Sequence, residues 1–184
     1  DLWFWGLSEP TAGARRLEAV LSEGEKARMA RFKFAHDQLA FLLCRARVRR
    51  LLSRYTRMPA ADIRFGEIGR GKPTLIAPDG TPPLAFNLSH TDGLACLGIS
   101  TNASTIGVDI ERIRPIEDDF SAYALTKPVA ATVQATGNEL RDRAFFHHWT
   151  GKEAFMKGPG EGLWQSLETF DVVPDIPATV PASV

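Results

Sequence analysis

The chain has 184 residues, 44% of them hydrophobic and 24% charged, with 22 basic and 22 acidic side chains. That composition suits a soluble globular protein with one substantial core or two small packed halves, and excludes a fibrous or disordered chain. No apolar run is long enough to span a bilayer, and two cysteines are too few for a disulfide framework, so reduced thiols in a cytoplasmic, membrane-free protein are expected.

The opening DLWFWGL reads as a first strand and not as a secretory leader. Ser22 followed three residues on by Glu25 is a capping-box signature for a helix over residues 22–31. A longer helix follows through AHDQLAFLLCRARVRRLLSRY, with Leu39, Leu42, Leu43, Ala46, Leu51 and Leu52 as its apolar stripe and Met58-Pro59 as its stop. Net neutrality conceals an asymmetry here. Arg28, Arg31, Lys33, Arg45, Arg47, Arg49, Arg50, Arg54 and Arg57 face one acid, Asp37, which points to an anionic partner: a phosphate compound, an acidic protein or nucleic acid. Ile63–Phe65 and TLIA read as short strands around the glycine-rich turn EIGRGKP, and APDGTPP as a loop. LAFNLSH and LACLGIS read as strands around HTDG, with IGVDIERI as a third. Residues 115–137 carry weak patterning. From Glu139 a second helix runs through RDRAFFHHWTGKEAFMK to a GPGEG turn, ETFDVV reads as a last strand, and DIPATVPASV as a loose tail. Two helix-plus-strand halves, 1–103 and 104–184, are expected.

Asp109 and Glu111 alternate with Val108 and Ile110, so on a strand both carboxylates leave one face. Such a pair faces open water, shares a proton or holds a cation. Edge-strand charge is the bland reading; a magnesium site, with one or two carboxylates, water and substrate phosphate oxygens, is the sharper one. Glu153 and Lys157 sit i, i+4 on the second helix, with Lys152 beside them. A surface ion pair is the simple account, but Phe145, Phe146, Trp149, Phe155 and Met156 make that helix apolar on much of its circumference, which favours a cleft. Four histidines lack the spacing of a zinc site, and Ser89, His90 and Asp92 cannot form a triad from adjacent strand positions. GRGK and GPGEG are turns rather than Walker loops, although GRGKP could bring backbone N–H groups and a lysine near a phosphate.

The order of these pieces is more specific than any one of them. FNLSH, then IGVDIE, then Trp149, Lys152, Glu153 and Lys157 as W-x-x-K-E-x-x-x-K, then a G-x-G turn, resembles the 4′-phosphopantetheinyl transferase family of the Sfp type. RFKFAHD with Arg28 upstream, and Gly71-Lys72-Pro73, resemble its earlier motifs, so the likeness runs from about Ser22 to Val172. Glu25 stands where that pattern has a second cation.

The resemblance implies an α+β fold of two similar halves related by a pseudo-twofold axis, with the site in the cleft between them. It implies Mg2+-dependent transfer of the phosphopantetheine arm of coenzyme A to a serine of an acyl, peptidyl or aryl carrier protein, releasing 3′,5′-ADP. Asp109, Glu111 and Glu153 would hold Mg2+ against the pyrophosphate; Lys157 would neutralise charge there or protonate the leaving oxygen; Glu153, or a metal-bound water near it, would take the serine proton. Ser89 and His90 would bind phosphate oxygens, Arg28 the 3′-phosphate, and Gly71, Lys72 and Pro73 would lie at the adenosine end. Part of the arginine-rich helix would serve docking of an acidic carrier. A monomer without nucleic acid is expected. Two other functions compete: a Mg2+-dependent pyrophosphohydrolase using water in place of serine, and a non-catalytic anion- or nucleic-acid-binding module, for which base-stacking aromatics are few.

Overall fold

The computed structural model describes residues 1–8, 14–69, 71–76, 78, 84–116, 124–159 and 167–172. Alternation in LWFWG forms β1 (Leu2–Gly6), which turns Trp3 and Trp5 toward the core and leaves Leu2 and Phe4 exposed. A short helix the sequence did not announce, α1 (Ala14–Glu18), buries Leu17 in the same cluster as Leu42 and Leu43. Next comes α2 (Glu23–Met29), opened by the expected capping box: Ser22 N–H donates to Glu25 Oε2 at 2.9 Å and Glu25 N–H to Ser22 Oγ at 3.3 Å.

The long basic helix is α3 (Ala35–Thr56), and Leu42, Leu43, Ala46, Leu51 and Leu52 of its stripe are buried. It stops at Arg57, which adopts the left-handed conformation at φ 60°, two residues before Pro59. Strands β2 (Arg64–Ile68) and β3 (Lys72–Ile76) pair as a hairpin. Both extend further than the sequence suggested, so Glu67, Ile68, Lys72 and Pro73 belong to the ladder, and the turn shrinks to the glycines at φ 57° (Gly69) and 87° (Gly71). The next hairpin, β4 (Ala85–Thr91) and β5 (Leu94–Ser100), turns on Asp92-Gly93, with Gly93 at φ 76°.

Strands β1, β5 and β4 form one antiparallel sheet in that order. Central β5 is covered on both faces, because its alternate residues have different partners. Leu97 and Ile99 pack with Val48 and Leu52 of α3, while a Cβ on Gly98 would meet Val108 Cγ1 at 2.5 Å and Ile106 Cδ1 at 3.0 Å. Residues 105–111 thus lie across the second face.

That segment corrects an expectation: IGVDIERI is extended but forms no β-ladder. ETFDVV is corrected too, since Leu167–Thr169 is a single 3₁₀ turn and 170–172 has no regular structure. The weakly patterned stretch yields α4 (Lys127–Ala135), introduced by Thr126 and carrying Pro128 in its first turn. Last is α5 (Asn138–Lys157), the expected second helix. Ala124, Leu125, Val133, Phe145 and Phe146 form a separate core there. The fold is a mixed helix-and-sheet one whose described strands all precede residue 101, and no described helix is long and apolar enough to cross a membrane. GPGEG beyond Pro159 and the tail after Val172 lie outside the described residues.

Glu25 has a structural occupation. Arg49, 2% exposed on α3, donates Nε to Glu25 Oε2 at 2.8 Å and Nη1 to the Ile63 and Ala60 carbonyls at 2.7 and 3.1 Å. Removing one partner of such a buried network costs about 3–5 kcal/mol. We expect Arg49→Ala to lower the unfolding free energy in urea by that amount. Arg49→Lys should recover only part, since one ammonium cannot span both carbonyls and the carboxylate. An unchanged urea midpoint for Arg49→Ala would show that the network contributes nothing.

Candidate active site

On β4 the side chains of Asn87, Ser89 and Thr91 share one face, being two residues apart. Each reaches the extended segment. Val108 N–H donates to Asn87 Oδ1 at 2.8 Å, Ser89 Oγ donates to Asp109 Oδ1 at 2.8 Å, and Thr91 Oγ1 lies 3.5 Å from Glu111 Oε2 while accepting Arg112 N–H at 3.2 Å. These side-chain bonds stand where a backbone ladder was expected. They also reveal a role for Asn87 and Thr91 that the sequence reading missed; the polar period-2 run Asn87, Ser89, Thr91 was its signal.

From the other side α5 closes on the same segment. Gly107 makes this possible: a Cβ there would lie 1.8 Å from Ala154 O and 2.7 Å from Gly158 N, all backbone atoms of the helix end. With the two segments so close, Lys157 Nζ donates to Asp109 Oδ1 at 2.5 Å and to Ser89 Oγ at 3.2 Å. The Asp109 side chain is 3% exposed and that of Lys157 32%. Asp109 Oδ2 is buried and has no partner, which is costly for a carboxylate oxygen.

Glu153, one turn before Lys157, belongs to the same field. Burial raises its carboxyl pKa above the usual range; Lys157 pulls it down, and Asp109 and Glu111 push it up. Glu111 also has Arg114 at 3.8 Å. Among the described residues no three Asp, Glu, His or Cys side chains gather around one point fit to hold an ion, so Asp109, Glu111 and Glu153 are electrostatic neighbours without forming a closed ligand set. Magnesium does not require one: it binds through one or two carboxylates and completes its shell with water and phosphate oxygens. The orphaned Oδ2 of Asp109 and the all-oxygen donors fit such an ion.

A cavity of about 440 Å³ opens in the N-terminal part, lined by Arg28, Phe41, Arg45, Pro73 and His90. The guanidinium carbons of Arg28 and Arg45 each lie over the Phe41 ring, 5.7 Å from its centroid, so two cations line the cavity. Arg45 belongs to the basic run read from the sequence as facing an anionic partner, whereas Phe41 was not assigned to a binding site there. His90 lines this cavity while its neighbour Ser89 faces Asp109, so the two residues expected to act together on phosphate serve different places. Lys72 and Pro73 part in the same way: Pro73 lines the cavity, but the Lys72 ammonium is held by the Ile106 and Gly158 carbonyls. Gly71 supplies the hairpin turn.

Lys152 is fully buried and donates to the carbonyls of Leu167 at 2.6 Å and Ala124 at 3.2 Å, with Asp171 Oδ1 at 3.5 Å. Its work is to fasten residues 167–171 to the helix.

Residues 10–102 match the family described as 4′-phosphopantetheinyl transferase, N-terminal, and residues 105–180 match the 4′-phosphopantetheinyl transferase superfamily. Over 173 residues the chain is 31% identical to the 4′-phosphopantetheinyl transferase HetI of Nostoc sp. (strain PCC 7120), spanning 93% of this chain and 72% of that protein. It is 30% identical over 157 residues to the 4′-phosphopantetheinyl transferase Sfp of Bacillus subtilis (strain 168), spanning 85% and 68%. The L-aminoadipate-semialdehyde dehydrogenase-phosphopantetheinyl transferase of Mus musculus is 33% identical over 164 residues, or 82% of this chain and 52% of that protein.

Proposed function

Because the chain belongs to the 4′-phosphopantetheinyl transferase superfamily, we propose the following reading of its two sites. The enzyme transfers the 4′-phosphopantetheine arm of coenzyme A to a serine of a carrier protein. Neither hydrolysis nor a non-catalytic binding role finds support among its relatives, which are named transferases.

The cavity suits the nucleotide end of coenzyme A. Arg28 would take the 3′-phosphate by its planar fork, His90 a phosphate oxygen, and Pro73 the adenosine. The pyrophosphate would then reach the triangle of Ser89, Asp109 and Lys157. Asp109 would hold Mg2+ through its free Oδ2, helped by Glu111 or Glu153. When bound, the ion supplies Lewis-acid polarisation of the pyrophosphate and a template for in-line attack. The carrier serine oxygen forms its bond to the pantetheine-bearing phosphorus as the bridging oxygen departs with 3′,5′-ADP. Glu153 would accept the serine proton, and Lys157, one turn on along the same helix, would neutralise or protonate the departing oxygen; their shared field with Asp109 supports this reading. Ser89 keeps Lys157 and Asp109 in register by contacting both.

The same proposal includes two similar halves, 1–103 and 104–184, related by a pseudo-twofold axis, working as a cytoplasmic monomer without nucleic acid or membrane. Its carrying observation is the buried Asp109 with one oxygen on Lys157 and the other unpartnered. Incubated with coenzyme A, Mg2+ and an apo carrier protein, the enzyme should add one phosphopantetheine to the carrier by intact-mass spectrometry. Consumption of coenzyme A at an equal rate without carrier would instead favour hydrolysis.

A further inference from the structure

Lys72 does not line the nucleotide cavity, although its neighbour Pro73 does. Its ammonium donates to Ile106 O at 2.8 Å and to Gly158 O, and lies 3.5 Å from Thr105 Oγ1. Thr105 Oγ1 also donates to Gly158 O. Three segments distant in sequence therefore meet at one cation: the β2–β3 hairpin, the extended segment that carries Asp109, and the C-terminal cap of α5. That cap is the negative end of the helix, where an ammonium satisfies a carbonyl left without an intrahelical donor. Burial lowers the Lys72 pKa, in keeping with an ammonium withdrawn from water.

We propose that Lys72 is a positioning residue for transfer: it clamps Ile106 to Gly158 and so sets Asp109 against Lys157. The inference rests on the reading of Asp109 and Lys157 as catalytic. Gly107 follows Ile106 and touches the backbone of Ala154 and Gly158, so the clamp closes around the tightest contact in the site. Pro73 beside it makes the same strand end part of the cavity wall. Binding at the nucleotide end and geometry at the reacting end are thereby set by two adjacent residues.

The test is the division between kcat and KM. Lys72→Met should lower kcat about a hundredfold, the cost of a misplacement near 1 Å, while the KM for coenzyme A stays within about threefold of wild type. Lys72→Arg, which retains charge and donors, should restore at least tenfold of that loss. Thr105→Val, removing the second donor to Gly158 O, should lower kcat in the same direction and tests the clamp if Lys72→Met fails to fold. A raised KM with kcat preserved would make Lys72 a substrate contact and overturn the proposal, as would a loss that Arg does not relieve. Amide hydrogen exchange needs no turnover: residues 105–111 should exchange several-fold faster in Lys72→Met, and unchanged exchange there overturns the clamp. Failure of the wild-type enzyme on every apo carrier would count against the assigned activity and leave the exchange result standing.

Discussion

Asp109→Asn is expected to reduce phosphopantetheine transfer by at least about a hundredfold while leaving the unfolding temperature within a few degrees of wild type. The two halves of that expectation have different physical origins. Asparagine preserves shape and can still accept from Ser89, but it removes the negative charge that faces Lys157 and would face Mg2+. A neutral amide oxygen holds a hard cation less tightly than a carboxylate, and excess Mg2+ can refill the site without returning the charge opposite Lys157, so it should not restore the full rate. Stability is a separate matter. Oδ2 is buried without a partner, and Lys157, being 32% exposed, can turn its ammonium to water once the carboxylate is neutralised. The folded state therefore loses little, as is common where a site holds groups in positions that favour chemistry over stability. A variant that is fully active would remove Asp109 from the metal and catalytic roles together. One that is inactive because it unfolds would instead make the residue structural.

The second large effect is expected at a residue with no functional group. Gly107→Ala would place a methyl 1.8 Å from Ala154 O and 2.7 Å from Gly158 N. Those atoms are backbone of the last turn of α5 and of its C-cap, so no side-chain rotation relieves the clash. The extended segment must retreat, and Asp109, two residues on, retreats with it. A loss of about a hundredfold in kcat follows from the displacement, along with about 1–3 kcal/mol of stability from overpacking. Gly98→Ala is the control. Its nearest neighbours, at 2.5 and 3.0 Å, are side-chain atoms of Val108 and Ile106 and not backbone of α5, so the methyl does not push the segment off the helix and its effect on kcat should be the smaller. Equal activities for the two variants would show that contact between segment and helix does not set the geometry.

Most long elements were legible because they carry strong local signals. The capping box at Ser22 and Glu25 and the leucine stripe of α3 mark their own helices, and the two hydrophobic runs around Asp92-Gly93 are close enough in sequence to pair as a hairpin. α4 went unread although Thr126 and Pro128 open it and Val129 and Val133 repeat at helical spacing, because a nine-residue helix gives the pattern few turns to establish itself. The strand expected at IGVDIERI failed for another reason. Its alternation is real, with Ile106 and Val108 on Gly98 and Asp109 toward Ser89, but hydrogen bonding there comes from β4 side chains. Alternation reports which face is apolar and says nothing of whether a neighbouring backbone is in reach.

The amino-acid sequence by itself determined the chemical inventory: an acidic pair at Asp109 and Glu111, a glutamate and a lysine one helical turn apart, and an arginine-rich helix. Those follow from residue type and spacing, which do not depend on folding. Tertiary structure alone decided how the inventory is divided. It gave Glu25 to Arg49, separated Ser89 from His90 and Lys72 from Pro73, and left one oxygen of Asp109 without a partner. Adjacent residues on a strand point to opposite faces, and what waits at each face is set by distant chain segments, 86 positions away for Lys72 and Gly158.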